Sequence, residues 1–584
     1  MRRFQRSLHA LPFEVSDTAS PIRARCPRLV YRDRKSCSLS DRICCIVLRM
    51  PFDIFAYHSS FHFTRWFTAI DLIYSAFILV YMFVLIDKLY LMFLDVLSYG
   101  SMRHPPPPGM SDEDLPPVAV QLPMFNEGTV AERAIRSACA LDYPINKLFI
   151  QVLDDSTDES KEICERTIRE LSDKGFRISL RHRTNRLGFK AGALREGLNE
   201  VREPFVVIFD ADFIPPTDYL RRTIPYLVSY PNVALVQARW SYLNEASSML
   251  CMLQTANLNV HFKMEQHVRY MGHHFFNFNG TAGIWRTEAI HAAGGWEGDS
   301  LAEDMDMSLR VWIKGYDFVY LRNLGCLNEL PDGFVAWRNQ QERWTVGKMQ
   351  VYRKLMKKVL HSNLSSYEKL HVFLFFMRSY VYWINIGFML VQPLLRMFST
   401  SRYWMVLLMY CTPSTAWIID LLYSPSLMWL LPLYMVQETC MSIFKGASVY
   451  TGLYDDKPKE FVRTPKAGQG LSGDKKKYKA QKGKVLVGLA ELFMSIYLGF
   501  TALVAYKQHA LVAWMFNASF SAGLFLYASQ TLVYNWSRPI KISTSPVDKK
   551  ELSKTELTIS SGNFSVIVLA DDEGDEGQKT DKYS

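Results

Sequence analysis

The ten cysteines include no CxxC pair and no ladder of metal-ligand spacing, and several, Cys251 and Cys440 among them, sit in apolar surroundings. That pattern argues against a zinc site and against a disulfide framework. The first 66 residues are rich in arginine, poor in acids and without a smooth apolar run behind the opening basic residues. They do not read as a cleavable secretory signal; a basic tail, disordered or lying at a membrane surface, is simpler than an organellar transit peptide. Between about Gly100 and Ser366 there is no long hydrophobic run, although 49% of the chain is hydrophobic and 14% aromatic. The apolar residues are therefore concentrated on either side, in runs near the ~20 residues that span a bilayer. The net charge is +10, but the basic residues gather in the first fifty positions and in Lys457 to Lys484. Membrane topology accounts for that clustering, so no nucleic-acid partner is expected and membrane lipid is.

The chain thus divides into a basic extension (1–66), an N-terminal span (67–99), a soluble domain (110–366), interfacial and transmembrane helices (367–450), a basic loop (451–484), further transmembrane helices (485–536) and a disordered acidic tail (537–584). Thr68 to Leu89 is the first span, continued by Tyr90 to Leu97, and Pro105 to Pro108 ends any helix before the soluble domain. Later apolar segments run from His371 to Phe398, Tyr403 to Tyr423, Leu427 to Ile443, Val485 to Tyr506 and Leu511 to Tyr534. Asp455 to Lys484 holds ten Lys or Arg against four acids, about +6, which puts this loop in the cytosol with the soluble domain. An even number of crossings then separates the two, so one of the three intervening segments lies in the interface. A second membrane element at Ile43 to Phe63 would reconcile the basic N-terminus with the same rule.

Within the soluble domain, short apolar strands (Val118 to Leu122, Leu148 to Leu153, Ile178 to Leu180, Phe205 to Phe209, Ala234 to Gln237) alternate with helices at Glu127 to Ala140 and Glu159 to Leu171. This is an α/β pattern with a mostly parallel sheet, whose ligands bind beyond the carboxyl ends of the strands. Acids stand at those ends. Asp154 and Asp155 follow one strand, where a carboxylate can accept hydrogen bonds from a nucleoside while Thr157 or Asp158 caps the next helix. Asp210 and Asp212 follow another and suit a Mg2+ or Mn2+ ion bridging to phosphate oxygens, although a pair of turn aspartates is the plainer role. Lys190, in a run of small residues, can approach a diphosphate or simply be a solvated surface lysine. Asp304, beside Glu303, is the candidate base for an acceptor hydroxyl, in a place where a helix N-terminus also favours acids. Gln340, Arg343 and Trp344 share a helix face on which an indole can stack on a sugar, Arg343 hold a diphosphate and Gln340 a hydroxyl.

In this order the motifs resemble those of the processive family 2 glycosyltransferases, the group that contains cellulose, chitin and hyaluronan synthases. Asp154-Asp155, Asp210-x-Asp212, Glu303-Asp304 and Gln340-x-x-Arg343-Trp344 carry the likeness over Val118 to Lys348. Within the group the chain is most similar to the plant and algal cellulose synthase-like A and C branch, through Leu153 to Asp158, Lys190 to Leu194, Val236 to Trp240, Phe278 to Arg286, Gly294-Gly295-Trp296 and Glu329-Leu330-Pro331. The resemblance implies a GT-A (Rossmann-like) domain in a multi-pass membrane protein and a divalent metal, with Asp155, Asp210 and Asp212 on nucleotide and metal and Asp304 as base. Gln340, Arg343 and Trp344 would hold acceptor and diphosphate. It also implies GDP-mannose or UDP-glucose as donor and a polysaccharide acceptor elongated by β-1,4 links and extruded into the Golgi lumen, the catalytic domain facing the cytosol. Phe461 to Lys466 is similar to the gating loop of cellulose synthases, with Arg463 and Pro465 departing from it. Ala302 stands where many relatives carry threonine.

The expected activity is an inverting (gluco)mannan synthase using GDP-mannose, with a β-1,4-glucan synthase using UDP-glucose as the alternative of the same class. An inactive membrane scaffold that binds nucleotide sugars is the alternative of another class, and intact acids at every catalytic position speak against it. The sequence leaves a homo-oligomer or an accessory subunit open.

Overall fold

Valine, isoleucine, leucine and phenylalanine in runs of four to seven favour strands buried on both faces, and such runs build the centre of the computed structural model. It describes residues 69–98, 103–128, 130–398, 403–455 and 482–536. The basic extension with Ile43 to Phe63, the Phe461 to Lys466 segment and the acidic tail lie outside the described residues. Seven strands, β1 (Val118–Met124), β2 (Leu148–Asp154), β3 (Arg177–His182), β4 (Phe205–Ile208), β5 (Val233–Tyr242), β6 (Gly283–Arg286) and β7 (Asp317–Asn328), form one sheet in the order β3-β2-β1-β4-β6-β5-β7. Val118, Val120, Val152, Val206 and Val236 are wholly buried, each contributing roughly 1.5–3 kcal/mol by leaving water. Gln121 and Gln151 are the polar exceptions inside β1 and β2, and their side chains bond to each other at 2.9 Å.

The expected strands form, most of them longer than the hydrophobic runs suggest, and two more join them. β6 is four residues long and opens on glycine, too little for a periodicity to register. It runs antiparallel to both neighbours, Ile208 pairing with Gly283 and Val236 with Ile284, while the other pairings are parallel. An antiparallel strand starts where its parallel neighbours end. The loop ahead of β6, Asn279-Gly280-Thr281, is thereby delivered to the edge at which β1, β2 and β4 finish.

The helices of this domain are α1 (Ala69–Leu97), which precedes it, α2 (Ala131–Cys139), α3 (Ser160–Asp173), α4 (Phe189–Leu198), α5 (Tyr219–Ser229), α6 (Met249–Val260), α7 (Gln266–Met271), α8 (Thr287–Ala292), α9 (Glu303–Ile313) and α10 (Phe334–Leu360). A π-turn, His261–Glu265, joins α6 to α7. There follow α11 (Ser366–Met377), α12 (Val381–Phe398), α13 (Tyr403–Leu422), α14 (Leu431–Tyr454), α15 (Lys482–Lys507) and α16 (Leu511–Trp536). Ser365 and Glu368 start α11 with a reciprocal capping box.

Five stretches, Ser75–Leu97, Ser366–Pro393, Pro425–Tyr454, Lys484–Lys507 and Leu511–Tyr534, are long and apolar enough to cross a membrane. Their outward side chains, such as Phe493, Ile496, Leu503 and Leu526, are more than half exposed, an arrangement that hydrocarbon accepts and water penalises. Two adjacent charges in the first stretch are ion-paired. Asp87 of α1 meets Arg378, and Lys88 meets Asp420 of α13.

The tie between the soluble domain and this bundle runs through α10. Arg338 forms a buried ion pair with Glu491 of α15 at 2.5 Å, bonds Thr531 of α16 at 2.5 Å and lies over the Phe444 ring of α14. One turn away Lys484 bonds Asn339 at 2.6 Å and pairs with Glu342 at 3.0 Å. Arg338→Met strands the Glu491 carboxylate and should cost about 3–5 kcal/mol. Arg338→Met with Glu491→Gln should regain most of it in thermal unfolding of the solubilised protein; equal losses in single and double variants would refute the pairing.

Candidate active site

One cleft at the carboxyl edge of the sheet gathers Asp155, Lys190, Asp210, Asp212, Glu303, Asp304, Gln340, Arg343 and Trp344. Of the residues picked out in the sequence, Asp154 alone is elsewhere. It is completely buried, with its side chain on the Ser156 amide at 3.1 Å and His182 Nδ1 at 2.7 Å, and it holds the β2 turn rather than lining the cleft. Side chains alternate across a strand end, so two adjacent aspartates cannot both face one cavity.

Asp155 is clasped by Arg183, Nε to Oδ1 at 2.7 Å and Nη2 to Oδ2 at 2.6 Å. The same guanidinium bonds Glu196 and the Leu187 and Phe189 carbonyls, which pins the loop from 183 to 189 against the carboxylate. That loop is tightly turned. Arg186 and Phe189 have positive φ, and a Cβ on Gly192 would stand 1.9 Å from the Leu187 oxygen. The β1 turn is strained too, with Asn126 at φ 55°, its amide donating to Ser156 Oγ and its side-chain oxygen accepting from the Thr157 amide. Non-glycine residues in the left-handed region persist only where their surroundings hold them, and here they ring the cleft.

Lys190 Nζ lies 2.5 Å from Asp210 Oδ1 and 2.8 Å from the Gly280 carbonyl. Thr281 Oγ1 accepts from the Asp210 amide at 2.9 Å, so the β6 loop fixes the acid that follows β4. Gly280 has a φ of +80°, and a Cβ there would come within 3.1 Å of Asp304 Oδ2, so only glycine fits. Asp304 occupies the first turn of α9. Its Oδ1 accepts from the Met305 amide at 2.7 Å, which leaves Oδ2 on the Gly280 side. The helix-terminal role and the cleft position therefore coexist in one residue. Burial, then the adjacent Glu303 charge, push the Asp304 carboxyl up to about 7. Burial raises Glu303 as well. Burial works against the Lys190 ammonium, but Asp210, Glu303 and Asp304 outweigh it and raise its pKa. For Arg343 burial wins over the same acids and the pKa is lowered.

Ala302 is the N-cap of α9 and, lacking a hydroxyl, makes no side-chain cap. Its methyl instead packs against Gly347, where a Cβ would approach within 2.8 Å, and Gln350 accepts from the Leu301 amide. Helix α10 is thus seated directly on the turn that leads into Glu303 and Asp304. Trp344 lies 6.4 Å from Trp240, which in turn packs on Phe213 at 5.3 Å and Phe262 at 5.0 Å. These rings give one wall of the cleft an apolar, aromatic surface suited to the C–H face of a pyranose.

Carboxylate oxygens are the donor set that Mg2+ and Mn2+ prefer, and an ammonium already stands on Asp210 as a stand-in cation, so Asp210 and Asp212 fit a divalent ion. A second acidic group, Glu297, Asp299 and Asp306, lies outside the cleft with its ligand atoms within 4.8 Å of one another. Lys354 already bridges all three, at 2.5, 2.7 and 2.8 Å.

Reading the sequence missed Phe125, Glu127, Arg183, Asn279 and Gly280 as parts of the site. Phe125 and Glu127 immediately follow β1 and were recoverable from the strand-end rule. Arg183 and Gly280 were not, since their partners are 28 and 24 positions away in the chain.

Residues 116–347 match the family described as glycosyltransferase like family 2. Glucomannan 4-beta-mannosyltransferase 2 of Arabidopsis thaliana is 38% identical over 405 residues, 68% of this chain and 76% of that protein. A probable glucomannan 4-beta-mannosyltransferase 9 of Oryza sativa is 38% identical over 64% of this chain and 73% of its own length. A mannosyltransferase structure from Pyrobaculum calidifontis, in complex with GDP-Man and Mn2+, overlays 66% of this chain and all of its own with a TM-score of 0.44 at 18% identity, too remote to speak for donor or metal here.

Since the Asp304 carboxyl is protonated below about pH 7, it loses its capacity to accept a proton there. The profile of kcat/KM against pH should show an acid limb near 7; a limb near pH 4 would remove Asp304 as the titrating group.

Proposed function

The chain belongs to the family of the glucomannan 4-beta-mannosyltransferases among the family 2 glycosyltransferases, and from that premise we propose that it transfers mannose from GDP-mannose to the end of a growing β-1,4-linked (gluco)mannan. It is a glycosyltransferase of the α/β GT-A type with membrane-crossing helices on both sides of the catalytic domain. In the proposal that domain faces the cytosol at the Golgi membrane and product leaves through the helical bundle.

The observation that carries the reading is the convergence of a raised carboxyl at Asp304, the Lys190–Asp210 pair and the Trp344–Trp240 wall in one cleft. Asp155, held by Arg183, receives hydrogen bonds from the nucleoside. Lys190 and Arg343 face the diphosphate as cations. Asp210 and Asp212 would hold Mg2+ or Mn2+, which when bound neutralises charge on the leaving diphosphate. Trp344 and Trp240 orient the terminal acceptor sugar, with Gln340 on a hydroxyl. The acceptor hydroxyl gives its proton to Asp304 while its oxygen bonds the anomeric carbon. The bond from that carbon to the diphosphate breaks, GDP departs with the electron pair, and the configuration inverts. One base and no protein nucleophile suffice for a single displacement. Glu303 stands beside the base, and its charge adds to burial in raising the Asp304 carboxyl.

Membranes carrying the protein, given labelled GDP-mannose or UDP-glucose with Mn2+ or Mg2+, should make polymer from GDP-mannose that a β-1,4-mannan hydrolase digests. Polymer from UDP-glucose alone, digested by a β-1,4-glucan hydrolase, would replace the donor assignment. Asp304→Asn should retain GDP binding and lose about a hundred- to ten-thousand-fold in transfer, and full activity in that variant would reject the base.

A further inference from the structure

The ammonium of Lys190 occupies the oxygen on which a divalent ion would sit. It bonds Asp210 Oδ1 at 2.5 Å, is capped on another side by the Gly280 carbonyl at 2.8 Å, and its side chain is 15% exposed. Asp210, Glu303 and Asp304 are the charges that act on it most strongly. A second cation cannot share Asp210 Oδ1 at that distance without strong repulsion, because like charges oppose each other more strongly in a partly buried site than in water and a divalent ion doubles the effect.

We propose that Lys190 is the resident counter-ion of the donor-free enzyme and is exchanged for the divalent ion, its ammonium moving from Asp210 to the diphosphate as metal and nucleotide enter together. The proposal rests on Asp210 being a metal ligand. Metal alone must displace the ammonium from Asp210; metal with a diphosphate brings the anion that receives it. Metal and nucleotide therefore bind cooperatively, and the acids at the base of the cleft are never left uncompensated. Lys354 shows the contrast within the same molecule. It bridges Glu297, Asp299 and Asp306 away from the cleft that would take the diphosphate, and there the same chemistry is a structural tie.

Mn2+ binding to the purified full chain, followed by electron paramagnetic resonance without nucleotide and again with GDP or UDP, tests this apart from turnover. Lys190→Met should bind Mn2+ alone at least about tenfold more tightly than wild type, and Lys190→Gln should do the same, while Lys190→Arg should resemble wild type. Nucleotide should strengthen Mn2+ binding strongly in wild type and little in Lys190→Met. Unchanged or weaker Mn2+ binding in both neutral variants would overturn the exchange while Asp210 keeps its role. Mn2+ binding that survives Asp210→Asn would overturn the metal assignment itself, and the exchange with it.

Discussion

Asp210, Asp212, Glu303 and Asp304 are among the carboxylates that line one cleft, and their mutual repulsion is the constraint around which the rest of the domain is arranged. Left uncompensated, like charges at such spacing in a partly buried site oppose folding. Lys190 and Arg343 supply positive charge from α4 and α10, elements far apart in sequence. Glycine at 280 lets the Lys190 ammonium and the Asp304 carboxyl approach, since any side chain there would meet both. Burial, with the adjacent Glu303 charge behind it, raises the Asp304 carboxyl to about 7, the range a proton acceptor working near neutral pH would need.

The second organising element is α10. On one face it presents Gln340, Arg343 and Trp344 to the cleft; at Gly347 it presses on the base motif; through Arg338 and Lys484 it is bonded to α15 and α16. A single helix thus carries part of the aromatic wall of the cleft and the attachment to the membrane bundle. The sheet domain and the membrane-crossing helices are joined by charge pairs and not by apolar contact alone, which sets their relative position tightly, because a displaced buried pair loses its compensation.

The charged groups inside the apolar helices follow the same rule. Asp87 with Arg378 and Lys88 with Asp420 bring helices distant in sequence together at fixed points. Arg378 also bonds Glu265 in the π-turn, so the soluble domain is pinned to α1 through a local irregularity in its own helix.

Much of the site was legible in the chain itself. Apolar runs ending in acids located the strand edge, and the three-and-four spacing of Gln340, Arg343 and Trp344 located a helix face, since both patterns are periodic and local. The domain's mostly parallel sheet follows from alternating strands and helices. Tertiary structure alone decided which of Asp154 and Asp155 enters the cleft, because the strand pleat sends neighbours to opposite sides. It alone revealed β6, whose four residues carry no period and whose antiparallel course puts Gly280 beside Asp304. It also decided that Arg183 clasps Asp155 and that Lys190 is paired with Asp210 and not solvated. Charge pairing depends on distance in space, and the order of residues along a chain determines that distance only after the chain has folded.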